Sequence, residues 1–238
     1  MGAPSYYLLS ALAPLDPPGL GRAPLSLSRL LSQIWSPRPR ELVRAVLLSD
    51  DLRLREATMA GELRDPEPAV LTPEQVRGEG PLPFEDTPRL WGSDSSIPSD
   101  VVWRGYYRYA AGVAERLASP LLAAWVAYDV AVRNALAAAR ARALGLEPRS
   151  YRVASELERR TPEVDSAVAL WTAAADPLAG MRALIGARWR WIHRYEPRYT
   201  FQDDEFVAYA AKLVLLHRWD RTERASGRTR QAAGEAGG

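Results

Sequence analysis

Apolar residues in this chain recur at intervals of three and four over much of its length, the spacing that lines side chains along one face of an α-helix. After residue 100 the stripe Val102, Tyr106, Ala110, Val113 and Leu117 predicts an amphipathic helix facing a core. Ser119 then offers a side-chain cap and Pro120 a first helical position for a longer helix running to Gly145, a residue suited to a left-handed helix end. At about 1.5 Å per residue this helix would span roughly 38 Å. Its first half is apolar nearly all round, which predicts a central pillar. Thr161-Pro162 and Asp176-Pro177 repeat the cap-then-proline start, ahead of helices through Trp171 and Tyr195. Glu196-Pro197 breaks the second of these, because the residue before a proline is pushed out of the helical region. The last helix starts near Gln202 or Asp203, carries Phe206, Tyr209, Ala210, Leu213, Leu216 and Trp219, and ends near Gly227.

Upstream, Ser26 can cap a short helix through Trp35, and Pro39 can open another with Leu42, Val43, Val46 and Leu47 at helical spacing. The run Tyr6 to Leu12 is compatible with strand or helix. Prolines crowd the middle of the chain, from Pro66 to Pro98. The chain therefore divides into an N-terminal helical part (1–64), a proline-rich loop (65–100), a C-terminal helical part (101–227) and a tail (228–238). Leu82, Phe84, Leu90 and Trp91 predict that the loop docks on the helices, whereas the tail lacks apolar anchors and reads as disordered. With no strand pattern of comparable strength, the expected fold is an all-α, multi-helix bundle of about six to eight helices.

Composition narrows the chemistry more than the fold. The 238 residues are 47% hydrophobic and 25% charged, as in an ordinary globular protein. Cysteine is absent, which excludes a disulfide framework, thiolate zinc sites, iron–sulfur ligation and a thiol nucleophile, and suits a reduced, cytoplasmic setting. Lys212 is the only lysine, so arginine supplies the rest of the cationic charge; the net charge of +2 shows that acids interleave with it. The most apolar stretch, from Leu121 to Leu146, carries Asp129, Arg133, Asn134, Arg140 and Arg142 and reads as a soluble helix. The N-terminus has neither the basic flank nor the long apolar core of a secretory signal, so export is not expected.

Candidates for catalysis are few. His193 and His217 are the only histidines, and neither has a second metal ligand at a known spacing. No nucleophile elbow, Ser-x-x-Lys pair or glycine-rich phosphate loop occurs. The expectation is therefore a non-catalytic protein with no cofactor and no metal. Carboxylates pair at Asp50 and Asp51 and cluster at Asp203, Asp204 and Glu205; the cluster stands at a helix start, where negative charge complements the helix dipole. Asp129 lies on the apolar stripe of Leu122, Trp125, Val132 and Leu136, so it should be buried and paired, with Arg133 one turn on or with an arginine from another helix. Asn134 and Arg140 extend this set into a structural clasp. The segment from Arg188 to Tyr199 interleaves bases with aromatics, as a single-strand nucleic-acid platform would, but helical spacing puts Trp191 and Tyr195 with Leu184 and Ile192 on the inward side.

Three segments, in order, carry a resemblance. They are Ser5-Tyr-Tyr-Leu-Leu-Ser-Ala-Leu with Pro24-Leu-Ser-Leu; Trp125-Val-Ala-Tyr-Asp-Val-Ala-Val-Arg-Asn-Ala-Leu with Ala139-Arg-Ala-Arg-Ala-Leu-Gly; and Phe201-Gln-Asp-Asp-Glu-Phe-Val-Ala-Tyr-Ala-Ala-Lys-Leu with Arg218-Trp. Together they resemble uncharacterised bacterial proteins encoded among V-type ATPase genes, a family remotely similar to the V-type ATPase subunit called C in prokaryotes and d in eukaryotes. The resemblance implies an all-α, funnel-like, non-catalytic subunit between the central stalk and the membrane rotor ring, peripheral to the inner membrane and touching it only through the complex. It also implies that Asp129, Asn134 and Arg140 hold helices together, and it matches Ala208, Tyr209 and Lys212 to a terminal motif. A glutamate expected soon after Lys212 is replaced by Leu215 or Leu216, and the chain is shorter than the usual subunit, which implies one helical lobe fewer. Arg188, Arg190, Arg194 and Arg198 are then candidates for meeting acidic partner surfaces, with Trp103 and Trp219 as apolar anchors. The competing expectation is a nucleic-acid-associated helical protein using residues 188–199.

Overall fold

The computed structural model describes residues 3–84 and 97–236. Among these residues nine α-helices form and no strand: α1 (Ala3–Ala11), α2 (Leu27–Gln33), α3 (Pro37–Met59), α4 (Pro73–Arg77), α5 (Pro98–Arg116), α6 (Pro120–Ala143), α7 (Pro162–Thr172), α8 (Pro177–Tyr195) and α9 (Asp203–Ala236). Two short 3-10 turns, Pro148–Tyr151 and Ser155–Leu157, lie between α6 and α7. The protein is thus all-α, with more helices than the apolar stripes alone suggested, because α1 and α4 are too short to show a stripe.

Proline marks where helices begin. Pro37, Pro73, Pro98, Pro120, Pro162 and Pro177 each open one, since a first-turn residue needs no N–H partner and proline's φ is already helical. Ser26, Ser119 and Asp176 accept hydrogen bonds from the backbone N–H of Arg29, Leu122 and Ala179. Thr72 and Gln75 form a reciprocal capping box at α4. Thr161 stands at its helix start without a side-chain cap bond. Gly145 adopts φ +70° just beyond α6, as its position predicts.

Several boundaries differ from the sequence reading. α3 opens at Pro37, so Pro39 is its third residue. The proline-rich stretch is not all loop: it holds α4 and the first turn of α5. Leu82 and Phe84 are buried as expected, while Leu90 and Trp91 lie outside the described residues. α9 continues past Gly227 to Ala236, so most of the expected tail is helical. Once a packed helix has formed, adding good helix formers such as Arg228, Gln231, Ala232 and Ala233 requires no new nucleus.

α6 is the pillar. It packs on α5, α7 and α9, while α3 lies along α9 and α8 lies against both α7 and α9. By length and composition α6 could cross a membrane; here Leu122, Val126, Val130, Ala131 and Val132 are buried among the other helices. One continuous core contains Leu42 and Leu47 of α3 together with Leu213 and Leu215 of α9, so the two ends of the chain share it. Phe84 enters this core against Gly105, where a Cβ would stand 2.9 Å from its ring. Only glycine permits that approach.

Candidate functional site

Asp129, on the buried face of α6, is the centre of an interhelical polar network. Arg188 of α8 places Nε and Nη2 at 2.8 and 2.7 Å from Asp129 Oδ1, and the Tyr107 hydroxyl of α5 donates to Oδ2 at 2.8 Å. Burial works against the charged carboxylate, but Arg188, then Arg53, and the Tyr107 hydroxyl outweigh it and hold Asp129 well below the usual carboxylate range. Burial, followed by the Asp129 charge, pushes the Tyr107 phenol well up. Three helices are tied through one carboxylate.

The other members of the expected clasp do not join it. Arg133 turns instead to Asp100, at 3.2 Å, and its guanidinium lies 4.9 Å from the Trp103 ring centroid. Asp129 takes its partners from α8 and α5, whereas Arg133 takes its own from the start of α5. Asn134 receives the Val153 N–H on Oδ1 at 2.9 Å and donates to the Val153 carbonyl at 3.0 Å, pinning the connection after α6. Arg140 covers Trp171 of α7, 5.0 Å from its ring centroid. These three residues fasten neighbouring elements to α6, each through a contact of its own.

A second network escaped the sequence reading. Asp50 on α3 is fully buried, with Arg218 Nε at 2.9 Å and Arg221 Nη2 at 2.6 Å from its Oδ1. Burial opposes its ionisation, yet Arg221 and then Arg218 bring its carboxyl below the ordinary range. Asp51 beside it forms no ion pair with an arginine among the described residues. It accepts from the consecutive backbone N–H groups of Ala69, Val70 and Leu71, the closest at 2.6 Å. Burial prevails over these bonds and raises its carboxyl to about 6, with Asp50 adding to the rise. Val43, Leu47, Asp50 and Leu54 follow the same helical spacing that singled out Asp129, and that was the available signal. Arg53 completes the interior set, its Cζ 5.3 Å from the Trp103 ring centroid. Burial, then Arg218 and Arg188, lower its guanidinium to about 10.

The acids at the start of α9 have structural roles, but only one works at its own helix. Asp203 pairs with Arg38 at 2.8 Å. Asp204 accepts from Ser119 and from the Leu121 N–H, so it caps α6. Glu205 accepts from the Thr200 and Phe201 N–H groups just ahead of α9. Neither histidine has acidic neighbours arranged for a metal, and no group of three such ligands occurs among the described residues. His217 Nε2 lies 2.9 Å from the Leu25 carbonyl, and His193 is exposed near Glu196.

The candidate partner residues separate sharply. Trp103 is 0% exposed and donates from Nε1 to Glu56 at 2.7 Å; Arg188 is consumed by Asp129. Both are corrected from surface to interior, because each lies on the packed side of its helix. Trp219 is half-buried: the Gly19 backbone approaches its ring, and Arg182 lies 5.8 Å from the ring centroid. Arg190, Arg194 and Arg198 are exposed. Tyr195, expected inward, is 46% exposed, whereas Trp191, Leu184 and Ile192 are buried. Among the described residues the most exposed large aromatics are Tyr199 and Trp35, which were not anticipated. No family model, curated protein or solved structure matches this chain.

Proposed function

We propose that the protein is a non-catalytic helical subunit of a bacterial V-type ATPase, linking the central stalk to the membrane rotor ring during ATP-linked proton or sodium transport. The observation that carries this reading is the binding of Asp129 by Arg188 and Tyr107, which spends a buried carboxylate on holding α5, α6 and α8 together. The resemblance assigns this kind of helix-holding to Asp129, and Asn134 and Arg140 likewise fasten elements to the same helix. A torque-bearing part needs stiffness, and a buried carboxylate held from two other helices resists their relative sliding. The nucleic-acid alternative has less support, because Arg188, Trp189 and Trp191 of its platform lie in the core.

The test is purification of the tagged protein from its native host in mild detergent. The catalytic and stalk subunits of the V-type ATPase should accompany it. An assembled ATPase recovered without this protein, from cells that express it normally, would overturn the proposal, and co-purification of nucleic acid removable by salt would favour the alternative.

A further inference from the structure

We propose that the outer face of α8 and the turn after it, carrying Arg190, Arg194, Arg198 and Tyr199, dock a carboxylate-rich protein segment that also presents an apolar side chain. The inference rests on the coupling-subunit reading for the name of the partner and on the surface itself for its chemistry. Arg190 and Arg194 are four residues apart and share one outer stripe of α8, with Arg198 just beyond the helix end. Arg190 forms no ion pair among the described residues. Arg194 has a single ion pair among the described residues, to Glu163 at 3.4 Å, and its side chain is 68% exposed. Arg198 must share Glu196 with the buried Lys212, whose Nζ lies 2.5 Å from Oε2. Arg190, Arg194, Arg198 and Lys212 thus have between them only Glu163 and Glu196 as ion-pair partners among the described residues. Glu205, the next carboxylate, is spent on backbone N–H groups and still leaves positive charge in excess. Guanidinium groups this exposed are matched in geometry and charge by carboxylates.

The adjoining loop carries an independent signal. Tyr199 and Phe201 adopt φ of +59° and +55°, a left-handed region that bulky residues rarely occupy. The Glu205 carboxylate clamps the turn, and the result is a tyrosine 87% exposed. Backbone strain of this kind persists where it positions a functional group. Beside Tyr199, a groove of about 330 Å³ is lined by Leu12, Pro14 and Pro197 and also by Glu196, Arg198, Glu205 and Lys212. A presented tyrosine, exposed arginines and a partly apolar recess are the composition of an interface hot spot. A nucleic acid is less well served: Trp189 and Trp191 are buried and Arg194 lies over the Tyr195 ring, 5.7 Å from its centroid, which leaves Tyr199 as the most open stacking face of this segment.

The test replaces Tyr199 with a photoreactive phenylalanine analogue in the full chain, expressed in its own host, and maps the cross-linked product by mass spectrometry. The expected product is an acidic segment of an identified protein. The double variant Arg190→Glu, Arg194→Glu should cut its yield at least about tenfold with an unchanged melting temperature, while Arg190→Lys, Arg194→Lys should retain most of it. Cross-links to nucleic acid or lipid, no protein product, or a yield indifferent to charge reversal would each overturn the proposal. If no ATPase subunit co-purifies and the mapped acidic partner is another protein, the coupling reading fails and the docking surface stands. If the ATPase co-purifies but Tyr199 yields no protein cross-link, the docking surface fails and the coupling reading stands.

Discussion

Inside the helical bundle, the buried carboxylate of Asp129 is held by a guanidinium and a phenol; where the proline-rich segment joins the bundle, the buried carboxylate of Asp51 is held by three backbone N–H groups. Both are deeply buried, and both fasten elements distant in sequence. They differ in whether a full opposite charge is present. Around Asp129, Arg188 and Arg53 more than offset burial and favour the ionised form. Around Asp51 the backbone dipoles fall short, and the nearest charge is the like charge of Asp50. A bundle of helices can supply arginines from any neighbour, whereas an irregular segment that comes as extended backbone has chiefly its own N–H groups to offer.

The largest effect should come from removing the bundle carboxylate. Asp129→Ala leaves Arg188 and Arg53 without their partner and should cost about 3 to 5 kcal/mol in denaturant unfolding; an unchanged midpoint would remove the clasp from the account. At the segment, Asp51→Ala strands three amides and should cost about 1 to 3 kcal/mol, with early proteolytic cleavage near residues 60–84 as its distinguishing sign.

The two carboxylates should also respond oppositely to pH. Asp129 lies below its ordinary pKa when folded, so its contribution is present above that value and is lost as the medium becomes more acidic. Asp51 is raised in the folded state to about 6, so its contribution is present at low pH and fades as pH rises from about 4 to about 6. Wild-type stability measured relative to Asp51→Asn should therefore decline across that window. A flat difference would show that the three amides fully offset burial.

Smaller effects sharpen the contrast. Asn134→Ala leaves the Val153 N–H and C=O without their side-chain partners and should cost about 1 to 2 kcal/mol, without the acid-dependent signature of either aspartate. Gly105→Ala forces Phe84 out of its contact and should loosen the proline-rich segment at a cost of about 1 kcal/mol or more, read by exchange protection at Leu82 and Phe84. Ile97 to Arg116 should keep its protection, since the added methyl points at the segment and away from the bundle. Loss of protection throughout α5 would show the two regions to be one cooperative unit.

Much of this fold was legible in advance because its signals are local. The stripes of α5, α6 and α8, the caps at Ser26, Ser119 and Asp176, and the prolines that open helices all act within about one turn of the chain. The burial of Asp129 was legible for the same reason. Its partner was not: Arg133 is a turn away and Arg188 is 59 residues away, and only packing decides between them. Arg188 and Trp103 did carry a local signal, since each stands three or four residues from buried positions of its own helix, Leu184, Trp191 and Ile192 for the one and Tyr106 and Tyr107 for the other.

The sequence by itself thus determined an all-α chain, most helix positions, and a buried acid on the pillar. Tertiary structure decided which arginine meets which aspartate, why the Asp50 carboxyl is held below the ordinary range and that of Asp51 above it, and which part of the Arg-rich segment reaches solvent. Helical periodicity depends on neighbours three and four residues apart, whereas the energy of a buried charge depends on whatever groups the fold brings within a few ångströms of it.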